Sequence, residues 1–196
     1  MKRMICNWKS RTTRNTIRLI IFLMVISVQI VAAGSVSPEY KLKAALLYKL
    51  TRFIEWPEQY SQGDDGSFGI CILGQDDFGS LLDTLQKRYV NNARISIHRF
   101  MQSEGINENC QLVFISDSKR SYLNSIINTL ANKPILTIGE SKKFADQGGM
   151  IQFVLNDGQI GFKINIGHVH TSGLKIAAPL LELATIVDDN PKGTSK

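Results

Sequence analysis

The chain has 196 residues, with 23 Lys and Arg against 17 Asp and Glu. Six of the basic residues and none of the acidic ones stand in the first 33 positions, so without that stretch the two signs balance at 17 each. A balanced chain has no overall pull toward phosphate backbones, which removes the electrostatic argument for a nucleic-acid partner.

The first stretch reads as an export signal. Lys2, Arg3, Lys9, Arg11, Arg14 and Arg18 precede an apolar run from Leu19 to Val31, and Ala32-Ala33-Gly34 supplies the small residues of a cut site. Cleavage is expected after Ala33 or Gly34, and the apolar run falls short of the ~20 residues that a retained anchor needs. The expected organisation is a leader over 1–33, one domain over 34–190 and a loose tail over 191–196. Export carries the domain to the periplasm and removes Cys6, leaving Cys71 and Cys110. Two cysteines in an oxidising compartment suggest one disulfide.

The spacing predicts a helix over 39–55, ended by Trp56-Pro57. Lys41, Tyr48, Lys49, Arg52 and Glu55 gather on its polar side and Leu42, Leu46, Leu50, Phe53 and Ile54 on its apolar side, with Lys43 outside the polar stripe and free to snorkel. A loop over 61–66 leads into a buried strand over 68–73. Asp76 or Asp77 can cap a helix over 78–87, and 94–100 alternates as a half-exposed strand that carries an isolated His98. Next come a buried strand over 112–115, a helix over 119–131, a strand over 135–138 and a short helix through Phe144. Asp157-Gly158 between the apolar runs 150–155 and 159–164 signals a hairpin. The segment 167–187 reads as mainly helical, with Leu180, Leu181, Leu183, Ala184 and Val187 covering the sheet. The fold class is α/β, a single domain whose mixed, mostly parallel sheet is flanked by helices and followed by a C-terminal β-hairpin and helices.

Three motifs invite chemistry, and each lacks a necessary part. Gly74 to Gly79 has the glycine spacing of a phosphate loop, but Ser80 and Leu81 stand where Lys and Ser or Thr are required. Ser172-Gly173-Leu174-Lys175 spells Ser-x-x-Lys without the companion motifs of serine acyl enzymes. His168 and His170 fit one side of a strand, yet carboxylate or cysteine ligands are not evident nearby. The sequence is therefore read as non-catalytic, with no cofactor and no metal. Tyr48, Arg52, Glu55 and Trp56 are more informative, because an aromatic pair bracketing an Arg is the composition of a protein-binding hot spot. The competing expectation is a small-ligand sensor or binding protein, with Lys175 as its basic contact.

The chain also resembles a family. Ala44 to Leu50 with Phe53 and Trp56-Pro57, Cys71-Ile72-Leu73-Gly74, Cys110 with Phe114-Ile115-Ser116, and Pro134 to Thr137 are similar to stretches of YfiR-like periplasmic proteins. The likeness continues through Phe144, Gly148 to Ile151, Ile164-Asn165 and Gly173 to Ile176. It implies a repressor that binds the periplasmic part of an inner-membrane diguanylate cyclase, with effects on cyclic di-GMP and biofilm formation. It further implies a homodimer, release through an outer-membrane OmpA-like lipoprotein, and Cys71–Cys110 as the family disulfide. One branch of that family has a second cysteine pair where this chain has Ala145 and Gln152.

Overall fold

The computed structural model describes residues 36–187. The expected leader, its cut site and the expected tail over 191–196 lie outside the described residues.

Local chemistry starts the first helix, α1 (Pro38–Leu50): Ser37 Oγ accepts from the Glu39 N–H at 3.2 Å, and Pro38 occupies a first turn where no N–H bond is needed. The helix expected over 39–55 stops at Leu50 and continues as a 3-10 turn, Thr51–Phe53, and a two-residue strand, β1 (Ile54–Glu55). The Thr51 hydroxyl donates to the Tyr48 carbonyl at 2.7 Å, which favours the tighter turn, and Pro57 holds Trp56 away from helical geometry. The buried face also departs from expectation. Lys43, Ala44, Leu47 and Leu50 point inward, whereas Leu42 is 45% exposed.

After β2 (Ser67–Leu73), Asp76 accepts from the Phe78 and Gly79 N–H groups and caps Gly79–Lys87, a 3-10 helix where an α-helix was expected. Two strands follow, β3 (Tyr89–Val90) and β4 (Ala93–Phe100), joined by Asn91 and Asn92 at φ of 47° and 71°. Asparagine tolerates that left-handed geometry, which makes Asn-Asn the signal for a turn that the apolar pattern misses. The expected helix over 119–131 is divided into a 3-10 segment, Asp117–Tyr122, and α2 (Leu123–Leu130), between β5 (Leu112–Ile115) and β6 (Leu136–Gly139).

The expected hairpin is present as β7 (Ile151–Asn156) and β8 (Gln159–Asn165), with Asn156 opposite Gln159 and both turn residues at positive φ. Nothing lies within 4 Å of a methyl group built on Gly158, so Gly158→Ala tests the backbone alone. It should cost about 1 kcal/mol in urea denaturation, from left-handed strain without a clash.

The C-terminal segment corrects the helical expectation. It contains α3 (Ile166–Thr171), β9 (Lys175–Ile176), α4 (Ala178–Leu181) and β10 (Ala184–Val187). Gly173, at φ 78°, turns the chain out of α3, and Thr185-Ile186-Val187 is a β-branched run that suits a strand. Leu180 is buried as expected, but Leu183 is 74% exposed and covers nothing.

The main sheet has eight strands in the order β10-β8-β7-β6-β5-β2-β4-β3, and the run from β7 to β4 is parallel. β8 is antiparallel to β7, and β3 is antiparallel to β4. β1 and β9 form a separate antiparallel pair. Side chains alternate across the sheet as period two requires. Phe68, Ile70, Ile72, Phe114 and Ile138 meet Leu47 and Leu50 of α1 on one face, while Cys71, Leu73, Val113 and Ile115 meet α2 on the other. The chain leaves β2 for β4 and then returns across β2 to β5, so the carboxyl ends of β2 and β5 mark a reversal of winding.

Candidate functional site

Tyr48, Arg52, Glu55 and Lys175 are brought into one region by α1 and the β1–β9 pair. Glu55 stands opposite Lys175 in the ladder, and the Ala177 N–H donates to the Phe53 carbonyl at 2.8 Å. The Glu55 and Lys175 head groups are 4.0 Å apart, with 75% and 79% of their side chains exposed. An ion pair this exposed contributes little to stability. Arg52 is exposed as well. Tyr48 is half-buried, and the Arg88 guanidinium lies 5.9 Å from its ring centroid, a contribution that the sequence pattern does not reveal. Trp56 has a different place. It is 9% exposed, its indole N–H donates to the Gln111 carbonyl at 3.1 Å, and its ring meets Phe68 edge to face. It belongs to the core and not to the exposed set.

A second cluster lies at the carboxyl end of the sheet, and sequence spacing did not reveal it. Lys43, expected to snorkel, is 4% exposed and ion-pairs with Glu140 and Glu39. Tyr40 donates to Glu140 at 2.7 Å and to Asp77 at 3.2 Å, and the Lys43 ammonium sits 4.6 Å from the Tyr40 ring centroid. Burial, reinforced by Glu140 and Asp77, pushes the Tyr40 phenol well above its usual range. Burial opposes the charge on Lys43, but the hydrogen bonds to Glu140 and Glu39 outweigh it and hold the ammonium above its usual range. The signal in the sequence was a lysine standing outside the polar stripe.

The tempting motifs are accounted for by local bonding. In the Gly74 to Gly79 loop, the Gln75 N–H donates to Ser118 Oγ and the Phe78 and Gly79 N–H groups to Asp76, so donors a phosphate would need are already engaged. The buried Ser172 hydroxyl donates to the Val169 carbonyl at 2.7 Å. His168 and His170 lie on α3, in the part of 167–187 that is helical as expected, and not on a strand that would put both rings on one side. His98 is half-buried, bonded to Ser96 and stacked on Phe100, where solvent exposure was expected. Among the described residues no group of three or more His, Cys, Asp or Glu is placed to hold a metal ion.

Cys71 and Cys110 are joined by a disulfide beneath α2, with their Cα atoms 5.7 Å apart. Cys71 lies on a strand adjacent to the one that follows Cys110. A comparison with protein families matches residues 40–185 to the YfiR/HmsC-like family. The chain belongs to that family. Its YfiR/HmsC-like relatives are periplasmic regulators of diguanylate cyclase signalling and are regulatory rather than catalytic. No curated protein matches the chain. Among the described residues no helix is long and apolar enough to cross a membrane.

Around Ala145 the chain is held by hydrogen bonds. The Ala145 N–H donates to Gln152 Oε1 at 3.2 Å, and Asn165 Nδ2 donates to the Ala145 carbonyl at 2.9 Å. Phe144 is pressed between Gly139 and Gly149, where a methyl carbon would come within 2.3 Å and 2.0 Å of its ring. Gln152→Leu leaves the Ala145 N–H without its acceptor and should cost about 1–3 kcal/mol in urea denaturation. The Cys71–Cys110 bridge should survive that change, as a count of free thiols would show.

Proposed function

We propose that this chain represses an inner-membrane diguanylate cyclase by binding the periplasmic part of that enzyme, and thereby lowers cyclic di-GMP and biofilm formation. The family match over residues 40–185 carries the reading, supported by the exposed Arg52, Glu55 and Lys175 around the Tyr48 edge. The protein acts as a homodimer, and an outer-membrane OmpA-like lipoprotein relieves repression by sequestering it. Pull-down of the chain from residue 34 onward with the periplasmic domain of its host's cyclase is the test. Capture of that domain, together with a rise in cyclic di-GMP on deletion of the gene, is expected; the absence of both would overturn the reading.

One observation favours a small-ligand sensor as the second reading. A cavity of about 360 Å³ beside Cys110 combines apolar lining from Ile106, Pro134 and Ile135 with the polar Asn107 and Asn132 and the oppositely charged Glu108 and Lys133. A ligand held there raises the melting temperature by mass action. A screen of nucleotides, amino acids and cofactors without any shift would count against it.

A further inference from the structure

The ion cluster of Tyr40, Lys43 and Glu140 forms one wall of a cavity that the proposed function leaves unused. Its volume is about 310 Å³, at the lower end of the range for small-molecule sites. Distant parts of the chain assemble it at the carboxyl end of the sheet. Glu39, Tyr40 and Lys43 come from α1, Asp117 follows β5, Glu140 follows β6, and Phe153, Leu155 and Ile160 come from the β7–β8 hairpin. The cavity therefore lies beside the reversal of winding between β2 and β5, and open α/β sheets bind their ligands outside the carboxyl ends of the strands near such a reversal.

The lining decides what kind of ligand fits. Three carboxylates, Glu39, Asp117 and Glu140, stand against one ammonium, and Lys43 is 4% exposed and already paired with both glutamates. Asp117 is paired through Oδ2 with the exposed Arg120 at 2.8 Å. Among the described residues, Glu39 Oε2 and Asp117 Oδ1 accept no hydrogen bond. The remaining lining is apolar: Phe153 is 3% exposed, Ile160 is half-buried, and Leu155 is 52% exposed. A phosphate or carboxylate would meet three like charges here. A metal ion is not the match either, since among the described residues no group of three or more acidic, histidine or cysteine side chains is placed to hold one. An ammonium has three N–H donors to offer the open carboxylate oxygens, and a carbon body attached to it can cover the apolar side chains. We propose that this cavity binds a small primary amine with an apolar body, held by charge-assisted hydrogen bonds to Glu39 and Asp117 and by contact with Phe153, Leu155 and Ile160. The site does not require the cyclase as partner, and it is separate from the cavity beside Cys110.

Amide chemical shifts of the periplasmically expressed protein, followed by NMR during titration, provide the test. The probe is phenethylamine. The alcohol 2-phenylethanol has the same body without the charge, and phenylacetate has the opposite charge. Phenethylamine should give saturable shifts at Leu155 and Ile160 and bind at least tenfold more tightly than 2-phenylethanol, while phenylacetate should leave these amides unmoved. Added salt should weaken the amine and not the alcohol, a difference that needs no variant. Asp117→Asn and Leu155→Ser, both at positions outside the core, should each weaken phenethylamine at least fivefold. Glu108→Gln, in the cavity beside Cys110, should not. Equal affinity for amine and alcohol, shifts confined to residues 106–111, unchanged binding in both the Asp117 and Leu155 variants, or no saturable shift at all would each overturn the proposal.

Discussion

Cys71→Ser and Cys110→Ser should each lower the stability of the chain from residue 34 onward by about 4 kcal/mol, read as a shift of the urea midpoint. The bridge spans a sequence separation of 39, and closing a loop of that length restricts the unfolded chain by about this amount on the chain-entropy model. The native side contributes too, because the two cysteines are 0% and 1% exposed and a serine hydroxyl there would enter an apolar cluster. The loop carrying Cys110 is pressed closely onto β2. A methyl carbon on Gly69 would fall 1.6 Å from the Asn109 carbonyl oxygen, and the Gly69 N–H already donates to Gln111 Oε1 at 2.6 Å. The double variant should lose about as much as either single one, since both remove the same bond. Two free thiols per chain in periplasmically expressed, unreduced protein would refute the bridge.

Glu140→Gln should be comparably damaging, at about 3–5 kcal/mol, because it removes the carboxylate that faces a buried ammonium and leaves Glu39 as the remaining anionic partner of Lys43. Replacing both members by Lys43→Met and Glu140→Leu should recover much of that loss, because a buried pair exchanged for apolar groups of similar volume is often nearly neutral. The same cluster sets the alkaline limit. Tyr40 and Lys43 both hold their protons more tightly when folded than when unfolded. Their contribution is therefore fully present below the unfolded values, about 10 for tyrosine and about 10.4 for lysine, and is lost as pH rises through the folded values. Stability measured by urea should hold from neutral pH to about pH 10 and fall above it. Tyr40→Phe should make that fall shallower; an unchanged slope would exclude Tyr40 as a contributor.

What was legible in the sequence was whatever left a repeating or covalent trace. The continuous apolar run in 68–73, the Asp157-Gly158 turn and the two retained cysteines located β2, the β7–β8 hairpin and the neighbouring β5. β1, β3 and β9 have two residues each, too few for a period, and β10 resembled a helix because Leu180, Leu181 and Ala184 are spaced as a helical face would be. The surface was legible in part. Tyr48, Arg52 and Glu55 belong to a stretch that a helical wheel can group, but Arg88 and Lys175 arrive from elsewhere in the chain. Lys43 defied reading because its ammonium is buried only where a distant partner, Glu140, satisfies it, whereas a buried Trp56, held by the Gln111 carbonyl, was one of two placements the sequence left open.

The pairing of β1 with β9 also bears on the order in which the chain can close. Ribosomes deliver α1 and β1 first, yet Glu140, Lys175, Ile176 and Ala177, to which these elements bond, come from much later in the sequence. Contacts of such long range form slowly, and the β1–β9 pair cannot form at all until Lys175 and Ile176, in the final quarter of the polypeptide, have emerged. β1 therefore waits without its partner strand and Lys43 without Glu140, although Leu47 and Leu50 can already meet Phe68, Ile70 and Ile72 of β2. A chain ending before Lys175 would retain most of the central sheet and lose the strand to which β1 pairs.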